Sequence, residues 1–284
     1  MPDWRRLEEG RVIPTQGYCD QPYVAVADDG AWVCTMTTGS GVEGEPGQHI
    51  EILRSTDQGR TWPFRVAIEP ANGPEASYSV LLKVPGGRLF CFYNHNTDNT
   101  RRVLCDPGHA KKWEERVDSQ GHFVFKYSDD HGVTWSDRRY EIPQRDFEID
   151  RENPYQGRIK YFWNVGRAFL HQGKCCVPIH KVGGFGYGFF TRSEGALLVS
   201  EDLAEQVDPS KAAGGRGGPA RPGGRGQDRG GAEFFRAERQ FPVLRVPHGR
   251  RPPRPDLQPR RRQDLRSAAL PVLRGRTPDA PPPR

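Results

Sequence analysis

The stretch RSTDQGRTW, residues 54–62, recurs as YSDDHGVTW at residues 127–135. Both follow the pattern Ser-x-Asp-x-Gly-x-Thr-Trp. The aspartate can accept backbone N–H bonds inside a turn, the glycine supplies a left-handed backbone conformation, and the threonine restarts a strand. Because everything these residues need is local, the repeated octapeptide predicts a structural turn between two strands and not a catalytic centre.

The residues before each octapeptide also repeat a pattern. Three segments read as a strand, a tight turn and a second strand, with the turns at residues 29–30, 86–87 and 172–173. A third strand then ends in a Ser-x-Asp string, which is degenerate in GALLVSEDL at residues 195–203. A four-stranded unit repeated along a chain predicts an all-β fold, the β-propeller. A β-sandwich is the alternative, but it would not repeat the same turn chemistry at the same place in each unit.

The basic charge of the chain is confined to its last part. Residues 212–284 hold 17 arginines, no lysine and 6 acids, whereas residues 1–211 hold 25 basic and 30 acidic residues. The Arg/Gly/Pro-rich composition of residues 212–284 predicts a disordered tail. One interpretation is an arginine–glycine arm for nucleic acid. The other is GC-rich DNA read out of frame.

The genetic code favours the second interpretation of the tail. Shifted by one base, the codons of QPRRRQD, residues 258–264, allow Ser-x-Asp-Gly-Gly-Lys-Thr, the repeated turn motif. We therefore predict a frameshift near residues 204–215 and no specific nucleic-acid partner. The predicted organisation is an N-terminal lead-in at 1–17, a partial propeller at 18–211 and the tail at 212–284.

The cysteines and the N-terminus bound the chemistry further. The six cysteines have no zinc-ligand spacing, and most lie in apolar runs, so we expect reduced thiols, no metal and no cofactor. The N-terminus MPDWRRLEEG is polar, and no apolar stretch reaches membrane-spanning length. We expect no membrane partner and a cytoplasmic location.

The two octapeptides resemble the Asp-boxes, or bacterial neuraminidase repeats, of the sialidase superfamily, and the resemblance covers roughly residues 18–203. It implies a six-bladed propeller, here incomplete with about three blades, with the Asp-boxes on the rim away from the active site. It also implies an exo-α-sialidase-type glycoside hydrolase that acts on terminal sugars of glycans through a tyrosine nucleophile, an acid/base aspartate and three arginines. The nucleophile would lie in the blades that the tail replaces.

The resemblance also suggests catalytic residues. The family's first motif, Arg-Ile-Pro, has its counterpart in Asp-Gln-Pro at residues 20–22, so an acid stands where an arginine would clamp the substrate carboxylate. The family's acid/base precedes the first Asp-box strand, where Glu43, Glu45 and His49 are candidates. Solvated loop residues are an equal interpretation there. The predicted catalytic residues are Asp20, Glu43 and His49.

Candidate sugar-binding residues follow the next strands. The loop FYNHNTDNTRR, residues 92–102, offers closely spaced hydrogen-bonding side chains that suit a sugar site. An ordinary polar loop would show the same sequence pattern. In the third unit two arginines could bind carboxylate or hydroxyl groups, and a tryptophan could stack on a sugar or pack in the core. The predicted sugar-binding residues are Gln21, Asn94, His95, Asp98, Arg158, Trp163, Arg167, His180 and Lys181.

Two further functions stay open. One is a non-catalytic glycan-binding propeller. The other is a polysaccharide lyase-like propeller, in which His180 or Lys181 abstracts a proton next to a uronate carboxylate. In all three cases the partner is a glycan, and the missing arginine leaves room for a sugar other than sialic acid. We expect the chain to be unstable, because three blades leave sheet edges open.

Overall fold

The computed structural model of the chain describes residues 5–164, 166–186, 189, 192–206, 208 and 236–237. A short 3-10 helix, Leu7–Glu9, precedes the first strand. The described strands form three larger antiparallel sheets and one two-stranded hairpin. The all-β prediction is therefore confirmed for this part of the chain.

Sheet 1 is a four-stranded antiparallel meander in the order β1-β2-β3-β4. Its strands are β1 (Tyr18–Val26), β2 (Trp32–Gly39), β3 (His49–Ser55) and β4 (Phe64–Ala67). The central strands β2 and β3 are almost wholly buried, whereas β1 has no buried residue and alternates between exposed and half-buried positions. The sheet thus has a covered middle and a more open first strand.

Sheet 2 repeats that order and adds a long excursion before its third strand. Its strands are β5 (Ala76–Lys83), β6 (Leu89–His95), β9 (His122–Ser128) and β10 (Tyr140–Glu141). The excursion carries a separate hairpin of β7 (Val103–Leu104) and β8 (Trp113–Glu114). The same four-strand path as in sheet 1 therefore accommodates an insertion of about 26 residues between β6 and β9.

Sheet 3 follows a short helix, α1 (Glu148–Glu152). Its strands are β11 (Phe162–Trp163), β12 (Phe169–His171), β13 (Lys174–Val182), β14 (Ser193–Ser200) and β15 (Arg236–Ala237). Both β11 and β12 pair with β13. The first strand of sheet 3 is therefore interrupted between Trp163 and Phe169. β15 pairs with β14 at the far edge.

The three predicted hairpins are confirmed. Residues 29–30 connect β1 to β2, residues 86–87 connect β5 to β6, and residues 172–173 connect β12 to β13. The third long strand of each sheet then ends at a Ser-x-Asp string. The repeated unit predicted from the sequence therefore exists as a repeated unit of strand pairing.

The hydrophobic core explains why β6 reads as an unbroken apolar run. Alternate side chains point to opposite faces of a strand. Leu89, Cys91 and Tyr93 belong to a cluster shared with sheet 1, whereas Phe90 and Phe92 belong to a cluster shared with sheet 3. Sheet 2 is therefore covered on both faces, and sheets 1, 2 and 3 stack in chain order.

The predicted tail lies outside the described residues, apart from β15. The predicted frameshift stays a prediction, and β15 is a strand in a region for which the sequence predicted none. All six cysteines are free thiols, and five of them are buried. Within the described residues no helix is long and apolar enough to cross a membrane, and no group of three ligand-type side chains is placed to hold a metal ion.

Candidate functional site

The two octapeptide turns satisfy their own hydrogen bonds. In the first, Ser55 Oγ donates to Asp57 Oδ1 at 2.7 Å and accepts from Gly59 N at 2.8 Å. Asp57 accepts from Thr61 N at 2.8 Å and Thr61 Oγ1 at 2.7 Å, which lowers the pKa of its carboxyl to about 2. The turn at 128–135 repeats all four bonds. These aspartates close turns, as predicted.

The opposite end of the same sheets holds a different kind of polar group. Strands β3 and β9 run toward the octapeptide turns, so the starts of β1 and β5 and the loops before β3 and β9 lie at the other end. Charged and phenolic side chains meet there in what we call the polar cluster. It consists of Tyr18, Asp20, Glu43, Tyr78, Arg116 and Asp118.

A repeated backbone distortion shapes this end. The β1–β2 register shifts between Asp20 and Tyr23, and the β5–β6 register shifts between Ser77 and Val80. At each shift one residue has a left-handed backbone, with φ of 51° at Gln21 and 59° at Tyr78. Such bulges re-aim side chains and interrupt pairing.

The centre of the cluster is a buried phenol held between opposite charges. Tyr78 Oη donates to Asp118 Oδ2 at 2.7 Å and lies 2.8 Å from Arg116 Nη2. Arg116 also donates from Nε to Asp118 Oδ1 at 2.7 Å and from Nη2 to Asp118 Oδ2 at 3.0 Å. Burial, followed by the Asp118 charge, raises the pKa of Tyr78 well above its ordinary value. This phenol keeps its proton and is poorly suited to act as a nucleophile.

Two further carboxyls border this centre. Glu43 accepts a hydrogen bond from Arg116 and lies 3.3 Å from Tyr78 Oη, and its side chain is 37% exposed. Burial raises the pKa of Asp20, and the neighbouring charge of Glu43 raises it further. The pKa of Tyr18 is raised in turn by burial and by Asp20. Asp20 is therefore a half-buried carboxyl that holds its proton to a higher pH than usual.

An aromatic wall lies on one side of the cluster. The Trp163 ring centroid is 5.9 Å from that of Tyr78 and stacks at 6.0 Å on that of Phe189. The Arg116 guanidinium carbon lies 5.7 Å from the Trp163 ring centroid. Below the wall, Asn164 Nδ2 donates to the Tyr78 carbonyl at 3.3 Å. Aromatic faces beside fixed acceptors and donors are typical of sugar recognition.

Four of the residues predicted from the sequence belong to the polar cluster, to the bulge beside it or to its aromatic wall. Asp20 and Glu43 belong to the cluster, Gln21 occupies the bulge next to Asp20, and Trp163 forms the wall. His49 does not act there: its side chain is 3% exposed, and its ring contacts Gly47 O at 3.1 Å and Glu51 Oε1 at 3.6 Å. An acid/base must reach the substrate, and His49 is enclosed in sheet 1.

Asn94 and His95 have supporting roles. Asn94 is buried, and its Nδ2 donates to the Asp118 carbonyl at 2.8 Å, so it fixes the backbone of the loop that carries Asp118. His95 Nδ1 lies 2.8 Å from Thr97 Oγ1, in the loop that follows β6. Burial, assisted by the Arg139 charge, lowers the pKa of His95 to about 4. The histidine is neutral and buried and contacts the sheet, not an open site.

Asp98 and Arg158 are surface residues with neighbours of their own. Asp98 Oδ2 lies 3.1 Å from His122 Nε2, and the Asp98 side chain is 68% exposed. Arg158 Nε donates to the Tyr155 carbonyl at 3.3 Å, within its own turn. Neither contact connects these side chains to the polar cluster.

The two basic residues predicted at the end of β13 lie in different surroundings. Lys181 is fully buried, with Nζ 2.8 Å from Asp150 Oδ1 and 3.6 Å from the Phe162 ring centroid. Burial lowers the pKa of Lys181 to about 8. His180, the alternate residue on the strand, is exposed, as is Arg167. Alternation along β13 sends Lys181 into the interior, where it pairs with Asp150.

Four members of the cluster were missed from the sequence: Tyr18, Tyr78, Arg116 and Asp118. The predicted site residues lie near the ends of the long strands. Arg116 and Asp118 instead lie at the end of the long excursion between β6 and β9. The opposite charges two positions apart, just before an apolar strand, are the signal that could have found them. Nothing in the chain near Tyr78 distinguishes it from an ordinary strand tyrosine.

No protein-family model matches the chain, and no curated protein matches it. Solved structures that align with the chain include a Hadza microbial sialidase, at 16% identity and a TM-score of 0.44, over 65% of this chain and 35% of that chain. A protein of unknown function from Dyadobacter fermentans aligns at 16% identity with a TM-score of 0.48, over 67% of this chain and 54% of that chain. An ulvan lyase aligns at 13% identity with a TM-score of 0.40, over 63% and 38%. The chain thus spans between about a third and just over half of the length of these proteins, and identity at this level assigns it neither a family nor a reaction.

Proposed function

We propose that the described sheets are blades of a sialidase-like β-propeller and that the chain acts on glycans as a glycoside hydrolase. The observation that carries this proposal is the position of Asp20 and Glu43. They meet at the end of the sheets opposite the two octapeptide turns, and the pKa of Asp20 is raised there. Three sheets with the same strand path, each ending in a Ser-x-Asp string, support the propeller.

Hydrolysis of a glycosidic bond needs an acid that protonates the leaving oxygen and a second group that assists attack on the sugar carbon. Asp20 fits the acid, because burial favours its protonated form. Glu43 fits the assisting carboxylate, since its side chain contacts Arg116 and is partly exposed to solvent. Tyr78 and Asp118 hold Arg116, and Arg116 holds Glu43, so the cluster positions that carboxylate.

The test uses the full chain and a panel of aryl glycosides that includes a sialoside. We expect release of the aglycone from at least one substrate, and we expect Asp20→Asn to reduce that rate about 100-fold or more, which is the typical contribution of a general acid. Asp28→Asn is the matched control, because Asp28 lies on the hairpin at the other end of β1 and contacts Lys83 at 2.7 Å. Equal rates for the two variants, or neither turnover nor glycan binding by the wild-type chain, would refute the proposal.

A non-catalytic glycan-binding propeller is the second candidate. It is favoured by the mutual contacts of Arg116, Asp118 and Tyr78, which bond to one another and leave fewer groups for chemistry. Binding of a glycan by the wild-type chain, with no product by mass spectrometry over a prolonged incubation, would support this candidate over the hydrolase.

A further inference from the structure

We infer that the polar cluster selects a glycan whose bound sugar bears no carboxylate, so that sialic acids and uronates are poor ligands. This inference rests on the proposed function, since it concerns the substrate class of the same site. It departs from the sialic acid substrate that the sequence resemblance implies. The charges, the hydrogen bonds of Arg116 and the aromatic wall each contribute to it.

The charges that meet at the site are mostly negative. Burial raises the pKa of Tyr18. The charges of Asp20, Glu43 and Asp118 raise it further, whereas the charge of Arg116 lowers it. With Asp20 protonated, two carboxylates still face one guanidinium. With Asp20 ionised, the excess is larger. A carboxylate brought into a half-buried site of this charge is repelled, because like charges interact strongly where water is partly excluded.

The guanidinium of Arg116 already binds carboxylates of the chain itself. A bidentate clamp on a substrate carboxylate needs two parallel N–H groups of one arginine. In Arg116 one such pair, Nε and Nη2, is directed at Asp118, whose side chain is 1% exposed. Nη2 also contacts Glu43 and Tyr78. Turning this edge to a ligand would leave Asp118 buried without its charge partner, which is strongly unfavourable.

Three other basic residues predicted to bind the sugar make no recorded contact with the polar cluster. Lys181 is buried against Asp150, and Arg158 bonds to the carbonyl of Tyr155. Arg167 is exposed and lies near Tyr23 of β1, whose pKa is raised by burial and by Asp20 and is lowered only in part by Arg167. The structure thus offers acceptors at the cluster for sugar hydroxyls, with the Trp163 face for an uncharged ring.

The same site also contains a fully buried amide with a vacant acceptor. Asn164 is 0% exposed, and its Nδ2 donates to the carbonyl of Tyr78. Its Oδ1 has no hydrogen-bond partner within the described part of the chain. A buried oxygen of this kind needs a donor, such as a hydroxyl or a bridging water. The charged groups therefore favour a ligand rich in hydroxyl groups.

The test measures binding of the full chain to immobilised glycans in matched pairs, each neutral glycan beside its sialylated or uronate-containing counterpart. We expect the neutral member to bind at least about 10-fold more tightly at low salt and the preference to narrow at high salt, where repulsion is screened. Glu43→Gln removes one carboxylate charge and should narrow the preference as well. Glu45→Gln, on the same exposed loop, is the control and should leave the preference unchanged.

The outcomes separate the inference from the function on which it rests. Equal or tighter binding of the carboxylate-bearing member overturns the inference and leaves a glycan-acting protein. A preference for neutral glycans that Glu43→Gln does not alter overturns the assignment of selectivity to the cluster. If no glycan of either kind binds and none is turned over, the proposed function fails, and the inference fails with it.

Discussion

Gln21 and Tyr78 occupy the same position in two successive sheets. Each lies at a register shift in the first strand of its sheet, and each has a left-handed backbone, with φ of 51° and 59°. Such backbones are unfavourable for residues with side chains and persist where the surroundings hold them. In sheet 3 the first strand is broken at the same place, and Asn164 there donates to the carbonyl of Tyr78. The candidate site is therefore built at a bulge in sheets 1 and 2 and at the interrupted first strand of sheet 3.

The hydroxyl of Tyr78 should contribute measurably to stability. Tyr78→Phe removes a donor to Asp118 and an acceptor for Arg116, and we expect it to reduce the free energy of unfolding by about 1–2 kcal/mol in urea denaturation. Tyr161→Phe is the matched control, because the Tyr161 hydroxyl is buried and has no hydrogen-bond partner among the described residues. Its removal should be neutral or slightly stabilising. Equal losses in both variants would contradict the assigned role of Tyr78.

Alanine substitutions at two glycines distinguish the free-energy cost of a left-handed backbone from the cost of a steric clash. Gly132 has φ of +86°, and a Cβ there would lie 2.9 Å from Val33 Cγ1; Gly30 has φ of +83° with no neighbouring atom within 4 Å. We expect Gly30→Ala to cost about 1 kcal/mol from the left-handed backbone alone. Gly132→Ala should cost about 1–3 kcal/mol more, from overpacking against β2. Thermal unfolding measures both, and equal costs would mean that the turn does not press on Val33.

A buried network between sheets 1 and 2 should contribute more to the free energy of unfolding than an exposed ion pair does. Glu69 accepts hydrogen bonds from Tyr93 Oη at 2.5 Å and from Arg139 at 2.7 and 2.9 Å, and its side chain is 4% exposed. Glu69→Gln leaves Arg139 without its charge partner, and we expect a loss of about 2–4 kcal/mol in chemical denaturation. Glu201→Gln, which breaks an exposed pair with Lys174, should cost under about 1 kcal/mol. A comparable loss for both would refute the role of the network.

Two histidines should make opposite contributions to the pH dependence of stability. Hydrogen bonding to Glu141 raises the pKa of His122 to about 9, so its contribution is complete below about pH 6.5 and is lost as pH rises toward 9. Burial lowers the pKa of His95 to about 4, so its neutral form contributes above about pH 6.5, and that contribution is lost as pH falls toward 4. Both signs follow from which state, folded or unfolded, binds more protons.

The two variants test this assignment by chemical denaturation at several pH values. His122→Gln should flatten the loss of stability between pH 6.5 and 9, and His95→Gln should flatten the loss between pH 4 and 6.5. Each variant serves as the control for the other. If either change alters the other histidine's window instead, the pairing of His122 with Glu141, or the burial of His95, is wrong.

What the sequence could predict was local. Asp57 and its turn bond only to one another, so residues 55–62 determine that structure by themselves, and the hairpin turns follow from short glycine-containing pairs in the same way. The alternation of side chains along β13 did not predict which of its two last basic residues is exposed. Both faces of that strand are covered along most of its length, and nothing in the sequence tells which of His180 and Lys181 reaches solvent.

The site could not be predicted in the same way because its parts are far apart in the chain. Tyr78 and Asp118 are separated by 40 residues, and Arg116 reaches them only because the excursion after β6 folds back over the start of β5. Such contacts depend on how the sheets stack. The local motif at residues 20–22 found Asp20, but its partners came only from the tertiary structure.

The most direct test of the account compares two leaving groups. The full chain is assayed on an activated 4-nitrophenyl glycoside and on the methyl glycoside of the same sugar, for wild type, Asp20→Asn and Asp28→Asn. If Asp20 protonates the leaving oxygen, Asp20→Asn slows hydrolysis of the methyl glycoside at least about 10-fold more than that of the nitrophenyl glycoside, which needs little protonation, and Asp28→Asn slows neither. Equal losses of Asp20→Asn on both substrates, or rates matching those of Asp28→Asn, would contradict the central claim that the polar cluster is the active site of a glycoside hydrolase.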